Sequence, residues 1–291
     1  MSDDLHVDRA GDVSSGVDGR LADAGFLVHA DPGEALGLAD AARYGDLELS
    51  ARINATPVEG VSTGRWGVEW AAGMVDHGLG QPLAGHTGGV SAVSTGWADG
   101  RRPVVVTGSY DMTARVWDLA TGQPVCEHLG HTDEVNAVAV VEGRSVAVTG
   151  SDDFTVRVWD LATGRLIGEP LSHADKVSAV ATGMVDGRPV VVSGGWDGAV
   201  RVWDLARHQP VGEPLIGHMG PVLAVATGVA EGRPVAVTGS DDFTVRVWDL
   251  TTGRQVGSEL VFPAPVEAVA IAADSRLVVA FGPETAVLAR C

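Results

Sequence analysis

A Trp-Asp pair returns four times in this chain, at Trp117-Asp118, Trp159-Asp160, Trp203-Asp204 and Trp248-Asp249. The tryptophans stand 42, 44 and 45 residues apart. A Gly-His or Ser-His precedes each pair: Gly85-His86, Gly130-His131, Ser172-His173 and Gly217-His218. Between them an aspartate always lies six residues before the tryptophan, at Asp111, Asp153, Asp197 and Asp242. A period of this length marks a unit that cannot bury its own faces and must stack on its neighbours. The stretch Gly150–Leu161 (GSDDFTVRVWDL) recurs letter for letter at Gly239–Leu250, so the second and fourth units present nearly the same surfaces.

Within one unit the pattern is β. Val90–Ser94, Pro103–Thr107, Thr113–Asp118 and Pro124–Leu129 are short runs rich in Val, Ala, Thr and Leu. Gly88-Gly89, Asp99-Gly100, Ser109-Tyr110-Asp111 and Thr121-Gly122 punctuate them. β-branched runs at regular spacing between such turns predict an all-β fold of four-stranded sheets. These residues together resemble the WD40 repeat family, over roughly Gly80 to Arg290. The resemblance implies a β-propeller with blades near 86–129, 130–171, 172–216, 217–260 and 261–291.

The fifth unit is degraded. Its strands are expected at Val266–Ile271, Leu277–Phe281 and Thr285–Ala289, with Phe262-Pro263 in place of Gly-His and no Trp-Asp. It also lacks a fourth strand, whereas residues 79–84 read as an outer strand, because Gly80–His86 parallels Gly212–His218. Pairing that strand with the last blade removes an exposed edge and favours a closed five-bladed disc. An open arc, or a dimer of arcs, is the rival, since relatives in the family usually carry seven blades.

The N-terminal part differs. Residues 1–20 are polar and expected to be disordered. Residues 21–75 read as a short α-helical arm and linker: Asp31-Pro32-Gly33-Glu34 caps a helix running to Tyr44, and Asp46 caps a second, Leu47–Ile53. Phe26–Pro32, Ala41–Gly45 and the Trp66/Trp70 pair resemble the arm joining ATPase to propeller in bacterial signal-transduction NTPases of the STAND type. The propeller is assigned to 76–291. No phosphate loop is present, because the one lysine, Lys176, lies in His-Ala-Asp-Lys-Val.

Composition narrows the partners. The formal charge of −18 divides evenly, near −9 for residues 1–80 and near −9 for the rest. That balance opposes a phosphate-backbone or anionic-membrane partner, both of which need a basic face. The start MSDDLHVDRAGDV has no signal-peptide character, and no run reaches the ~20 apolar residues of a membrane span. Cys126 and Cys291 form neither a metal spacing nor a disulfide framework. The arginine-rich composition suggests a bacterial source. A cytoplasmic setting without cofactor is expected.

Each unit holds His, Asp, a hydroxyl and Trp: His86/Asp111/Thr107/Trp117, His131/Asp153/Thr149/Trp159, His173/Asp197/Ser193/Trp203 and His218/Asp242/Thr238/Trp248. A catalytic set needs one copy in a cleft, so a set in every blade reads as structure. The resemblance implies a buried network in which Asp accepts from His, His meets the hydroxyl, and the hydroxyl meets the indole. A channel-site hydrolase needs paired carboxylates. The innermost strands VSAVS, VNAVA, VSAVA, VLAVA and VEAVA offer only Glu267.

The position before each turn aspartate varies: Tyr110, Asp152, Trp196 and Asp241. The family places it on the top face, beside the loop after Gly-His, where Glu134 also lies. Exposed aromatics anchor interfaces and acids steer basic partners. The expected function is therefore a non-catalytic scaffold. It binds a protein or peptide with a basic patch through Tyr110, Glu134, Asp152, Trp196 and Asp241. A sensor fragment acting with a separate ATPase is the alternative role, and a homo-oligomer is the alternative assembly if the ring is open. Trp97 is expected in the opposite loop.

Overall fold

The computed structural model describes residues 83–126, 129–272 and 275–289. The tail 1–20, the arm 21–75 and most of the expected closing strand at 79–84 lie outside them. Within them every element is β. The first blade holds β1 (Val90–Ala98), β2 (Arg102–Ser109), β3 (Thr113–Asp118) and β4 (Leu129–Gly130). The second holds β5 (Val135–Val140), β6 (Val146–Ser151), β7 (Thr155–Asp160) and β8 (Leu171–Ser172). In the third, β9 (Val177–Val185), β10 (Arg188–Gly195) and β11 (Ala199–Asp204) are followed by β12 (Gln209–Pro210) and β13 (Leu215–Ile216). The fourth has β14 (Val222–Ala230), β15 (Arg233–Ser240), β16 (Thr244–Asp249), β17 (Arg254–Gln255) and β18 (Leu260–Val261). β19 (Val266–Ile271), β20 (Leu277–Phe281) and β21 (Glu284–Leu288) make the fifth.

All pairings are antiparallel, and each blade is a meander in chain order. The outer strand is not the continuous run that the sequence suggests. In the third blade β12 and β13 both pair with β11, and in the fourth β17 and β18 both pair with β16. The Gly-Glu-Pro and Gly-Ser-Glu stretches between these pieces break the ladder, with Gly212 and Gly257 at positive φ. Leu83 and Ala84, the described end of the expected closing strand, form no strand, and the fifth sheet has three strands among the described residues. Trp97 is not in a loop: the inner strand runs on to Ala98, which places Trp97 opposite Pro103 and half-exposed.

The middle strands explain why blades cannot stand alone. Val104–Ser109 of β2 and Val146–Ser151 of β6 are nearly all buried, on both faces of the sheet. In the second, third and fourth blades one face packs on the blade before and the other on the blade after. Thus Trp159 and Leu161 of the second blade join the core of the first, around Val106 and Val116. Trp248 and Leu250 join that of the third. The inner strands pack in chain order, β1 on β5, β5 on β9, β9 on β14 and β14 on β19.

A bulge sets the joint between blades. In each inner strand the register slips at one residue, between Val90 and Ala92 in β1 and at the matching place in β5, β9, β14 and β19. The unpaired residue is re-aimed by the bulge. Ser91 and Ser178 donate to the carbonyls of Val135 and Val222 in the next blade. Asn136 reaches that of Val177 at 3.1 Å. Beside it a valine enters a hollow kept open by glycine. A Cβ on Gly108, Gly150 or Gly194 would lie 2.8, 2.7 or 2.5 Å from Cγ1 of Val135, Val177 or Val222, and Val266 fills the same place against Gly239. Those distances are below any van der Waals contact, so only glycine fits.

The aspartate of each Trp-Asp pair caps the turn after the third strand. Asp118 accepts from the N–H groups of Ala120 and Thr121 at 2.9 and 3.0 Å, and Asp249 from Thr251 and Thr252, each at 2.9 Å. Asp204 also takes the Arg207 guanidinium at 2.9 Å. At this end of the blades the acids are matched by arginines, among them Arg102 with Asp118 and Arg233 with Asp249.

Candidate functional site

At the opposite end, the turn between second and third strands meets the loop after Gly-His. Tyr110, Asp152, Trp196 and Asp241 donate their backbone N–H groups to Gly89, Glu134, Lys176 and Pro221, at 3.0, 2.9, 2.9 and 3.0 Å. The two variable loops of every blade are therefore bonded together on one face. Beneath them lies the four-membered network. In the second blade His131 Nδ1 donates to Asp153 at 2.8 Å, Nε2 meets Thr149 Oγ1 at 2.6 Å, and Trp159 Nε1 donates to the same hydroxyl at 2.8 Å. His86, Asp111, Thr107 and Trp117 repeat this in the first blade, with distances of 2.9, 2.8 and 2.9 Å. His218, Asp242, Thr238 and Trp248 repeat it in the fourth, at 3.1, 2.8 and 2.9 Å.

The aspartate is clamped from several sides. Asp153 accepts from Thr132 N, Thr155 N and Thr155 Oγ1 as well as from His131, at 3.1, 3.0 and 2.6 Å for the first three. Burial alone raises a carboxyl pKa, but these donors, His131 and Thr155 foremost, hold Asp153 well below the usual carboxylate range. Burial pushes His131 and His218 below the ordinary imidazole value. That shift favours the neutral ring, and the carboxylate opposite Nδ1 calls for the proton on that nitrogen.

The third blade is wired differently. His173 Nδ1 lies 3.9 Å from Asp197, too far for a hydrogen bond. Arg201 Nη1 stands between them, 2.8 Å from His173 Nδ1 and 2.7 Å from Asp197. A guanidinium only donates, so Nδ1 accepts and the proton sits on Nε2, which donates to Ser193 at 2.7 Å. Trp203 donates to Ser193 at 2.8 Å as elsewhere. Burial and then the Arg201 charge press the His173 pKa down to about 4.

The predicted binding residues divide into two kinds. Tyr110, Trp196 and Asp241 are exposed. Asp152 is engaged: it accepts from Asn136 Nδ2 at 2.6 Å and pairs with Lys176 Nζ. Lys176 in turn sits 5.5 Å over the Trp196 ring, and the Asp152 carboxylate holds its ammonium above the ordinary range. Asn136, Asp152, Lys176 and Trp196 thus form one chain of contacts across the second and third blades. Asp152 is part of the face's own framework, because its carboxylate has two partners already. Glu134 is half-buried beside it.

Three site residues escape the sequence reading: Met112, Phe154 and Phe243, the residues just after the turn aspartates. All three are exposed and at positive φ, 67°, 65° and 69°, where a bulky side chain is strained. Gly198 holds that place in the third blade at φ 72°. Aligning the four turns would have shown bulky residues where the third unit keeps glycine. With them counted, every complete blade presents one exposed aromatic on this face: Tyr110, Phe154, Trp196 and Phe243. The acids Asp133, Asp175 and Asp241 surround them, and Lys176 is the base among these loops.

Among the described residues no cluster of three or more His, Cys, Asp and Glu is placed to hold a metal. No helix there is long and apolar enough to cross a membrane. Cys126 is a free thiol, its pKa raised by burial and by Asp160.

Residues 79–118, 122–160, 164–204 and 209–249 match the WD40 family, described as WD domain, G-beta repeat. The chain belongs to the WD40 family. Two solved structures resemble it. The computationally designed Ika8 protein is 30% identical with TM-score 0.57, over 70% of this chain and 58% of that one. The WD40 beta propeller domain of Doa1 is 26% identical with TM-score 0.57, over 70% of this chain and 64% of that one. The WD40 chain therefore spans less than two thirds of either structure's length. No curated protein matches it. WD40 propellers are in general non-catalytic surfaces for protein or peptide partners.

Proposed function

We propose that this WD40 chain is a non-catalytic scaffold that holds a protein or peptide partner on its top face. Its setting on this reading is the cytoplasm. The observation that carries it is the placement of one exposed aromatic per complete blade, Tyr110, Phe154, Trp196 and Phe243, amid acidic loops. Two of the four are kept in a strained backbone conformation that glycine would relieve. Strain of this kind costs about 1 kcal/mol or more per residue and is found where a side chain is needed for contact. Large rigid rings supply contact area at low entropy cost, and the acids favour a partner bearing lysine or arginine.

The test uses immobilised peptides that pair large apolar residues with lysines, probed with the wild type and with Tyr110→Ala/Phe154→Gly/Trp196→Ala/Phe243→Gly. The expected result is salt-sensitive retention of the wild type by a subset of peptides and loss of about tenfold or more for the variant, at unchanged or higher melting temperature. Equal retention of both proteins would sink the top-face reading.

A further inference from the structure

The segment Gly150–Leu161 of the second blade and its identical copy Gly239–Leu250 in the fourth carry the same aspartate into different surroundings. Asp152 and Asp241 stand at one register place. Each follows the serine that pairs with the valine opening the inner strand, Ser151 with Val135 and Ser240 with Val222. Asp152 has two side-chain donors. Asn136, the residue after Val135, gives its amide N–H at 2.6 Å, and Lys176, just before Val177 of the next blade, brings its ammonium. Trp196, in the turn of that next blade, has the same ammonium 5.5 Å from its ring centroid. Around Asp241 the three matching places hold Leu223, Pro265 and Gly282. None of these side chains can donate. Among the described residues no side chain donates to the Asp241 carboxylate, which is exposed. The duplicated segment carried the acid with it but not the base, because the base belongs to the blade that follows.

We propose that the Asp241 carboxylate is the seat for a lysine side chain of the bound partner, and that Lys176 on Asp152 is the internal counterpart of that contact. The inference rests on the top-face reading above and adds the residue that the partner brings. Asp152 is closed to a partner by Lys176, so of the two copied turns only that of the fourth blade is open. Pro265 stands where Lys176 would supply the ammonium, which leaves that place to a side chain from outside. The flanks suit the rest of a lysine. Met219 is 91% exposed and donates its backbone N–H to Asp242 at 2.8 Å, which holds it against the turn, and the half-exposed Phe243 ring follows Asp242. A lysine stem lies along apolar side chains of this kind while its ammonium reaches the carboxylate.

The test titrates the full chain with short peptides that carry one lysine among apolar and uncharged residues, and reads affinity together with backbone amide shifts. Shifts are expected to centre on Asp241 and Phe243 and to leave Asp152 in place. Acetylating the peptide lysine, or Asp241→Asn, should weaken binding about threefold to tenfold. Pro265→Lys supplies the missing base from within the chain and should weaken binding by a similar factor. Lys176→Met frees Asp152 and should add a second site, with new shifts at Asp152 and Phe154. Should Pro265→Lys disturb its loop, Asp241→Asn, which keeps the shape of the side chain, carries the test. Two results overturn the proposal. Shifts at Tyr110, Phe154 and Trp196, with affinity indifferent to acetylation and to Asp241→Asn, would remove the lysine seat and leave the top-face reading standing. No shift at any top-face residue with any of the peptides would remove both.

Discussion

The second and third blades share three long antiparallel strands and a network of His, Asp, a hydroxyl and Trp, yet they hold their histidines in opposite tautomers. In the second, Asp153 is fixed by the Thr155 hydroxyl at 2.6 Å and its own N–H is fixed by Ser151 Oγ at 3.1 Å. The third blade has Ala199 and Gly195 at those places. With both hydroxyls gone, Asp197 keeps only the Ala199 N–H at 3.1 Å from its turn and swings to Arg201. In the second blade the matching Arg157 lies 3.2 Å from Asp153 and leaves the histidine alone. Two missing hydroxyls thus turn a His-Asp pair into a His-Arg-Asp relay. A network is decided by the residues that orient its members as much as by the members.

The largest test of this difference removes the aspartate from each blade. Asp153→Ala leaves the buried Nδ1–H of His131 without a partner and should cost about 2–3 kcal/mol. Asp197→Ala leaves His173 bonded to both Arg201 and Ser193, and should cost about 1 kcal/mol. Chemical denaturation of the two variants measures the gap; equal losses would contradict the assigned wiring.

Acid sharpens the contrast. His173 has a folded pKa of about 4 against an ordinary 6.5, so as pH falls through that window the unfolded chain binds the proton first. Stability is therefore full well above pH 6.5 and drains away towards pH 4, by an amount on the order of 3 kcal/mol for this site. The aspartates, lowered from 3.8, add their loss only below that value. His173→Gln should flatten the melting-temperature profile between pH 6.5 and 4. An unchanged slope would show that His173 is not the group titrating.

A smaller effect comes from rebuilding. Ala199→Thr restores one hydroxyl to the third blade and should draw Asp197 back to His173, with a gain of about 0.5–1 kcal/mol. Nitrogen-15 shifts of the imidazole should report the proton moving from Nε2 to Nδ1. Smallest of all, Phe154→Gly copies Gly198 into the second blade. It relieves a positive φ and should change stability by less than about 1 kcal/mol, in the stabilising direction.

Much of the site could be read from the repeats because it is made of them. The four His, Asp, hydroxyl and Trp sets lie at fixed offsets, and antiparallel register converts those offsets into contacts. Asp152 could not be read so. Its spacing is that of Tyr110 and Trp196, but its partner Lys176 comes from the next blade, and only packing brings the two together. Phe154 was passed over because periodicity treats a turn residue as punctuation, whereas a positive φ is a property of the folded backbone.

By itself the sequence determined the β-sheet units, their number and their order, since those follow from local β propensity and from a period repeated along the chain. The tertiary structure decided what happens between units: the tautomer of His173, the engagement of Asp152, and the fit of valine into glycine at each joint. These depend on distances of a few ångströms between residues some 25 to 45 positions apart. A missing hydroxyl at Ala199 changes such a distance while leaving the repeat pattern intact.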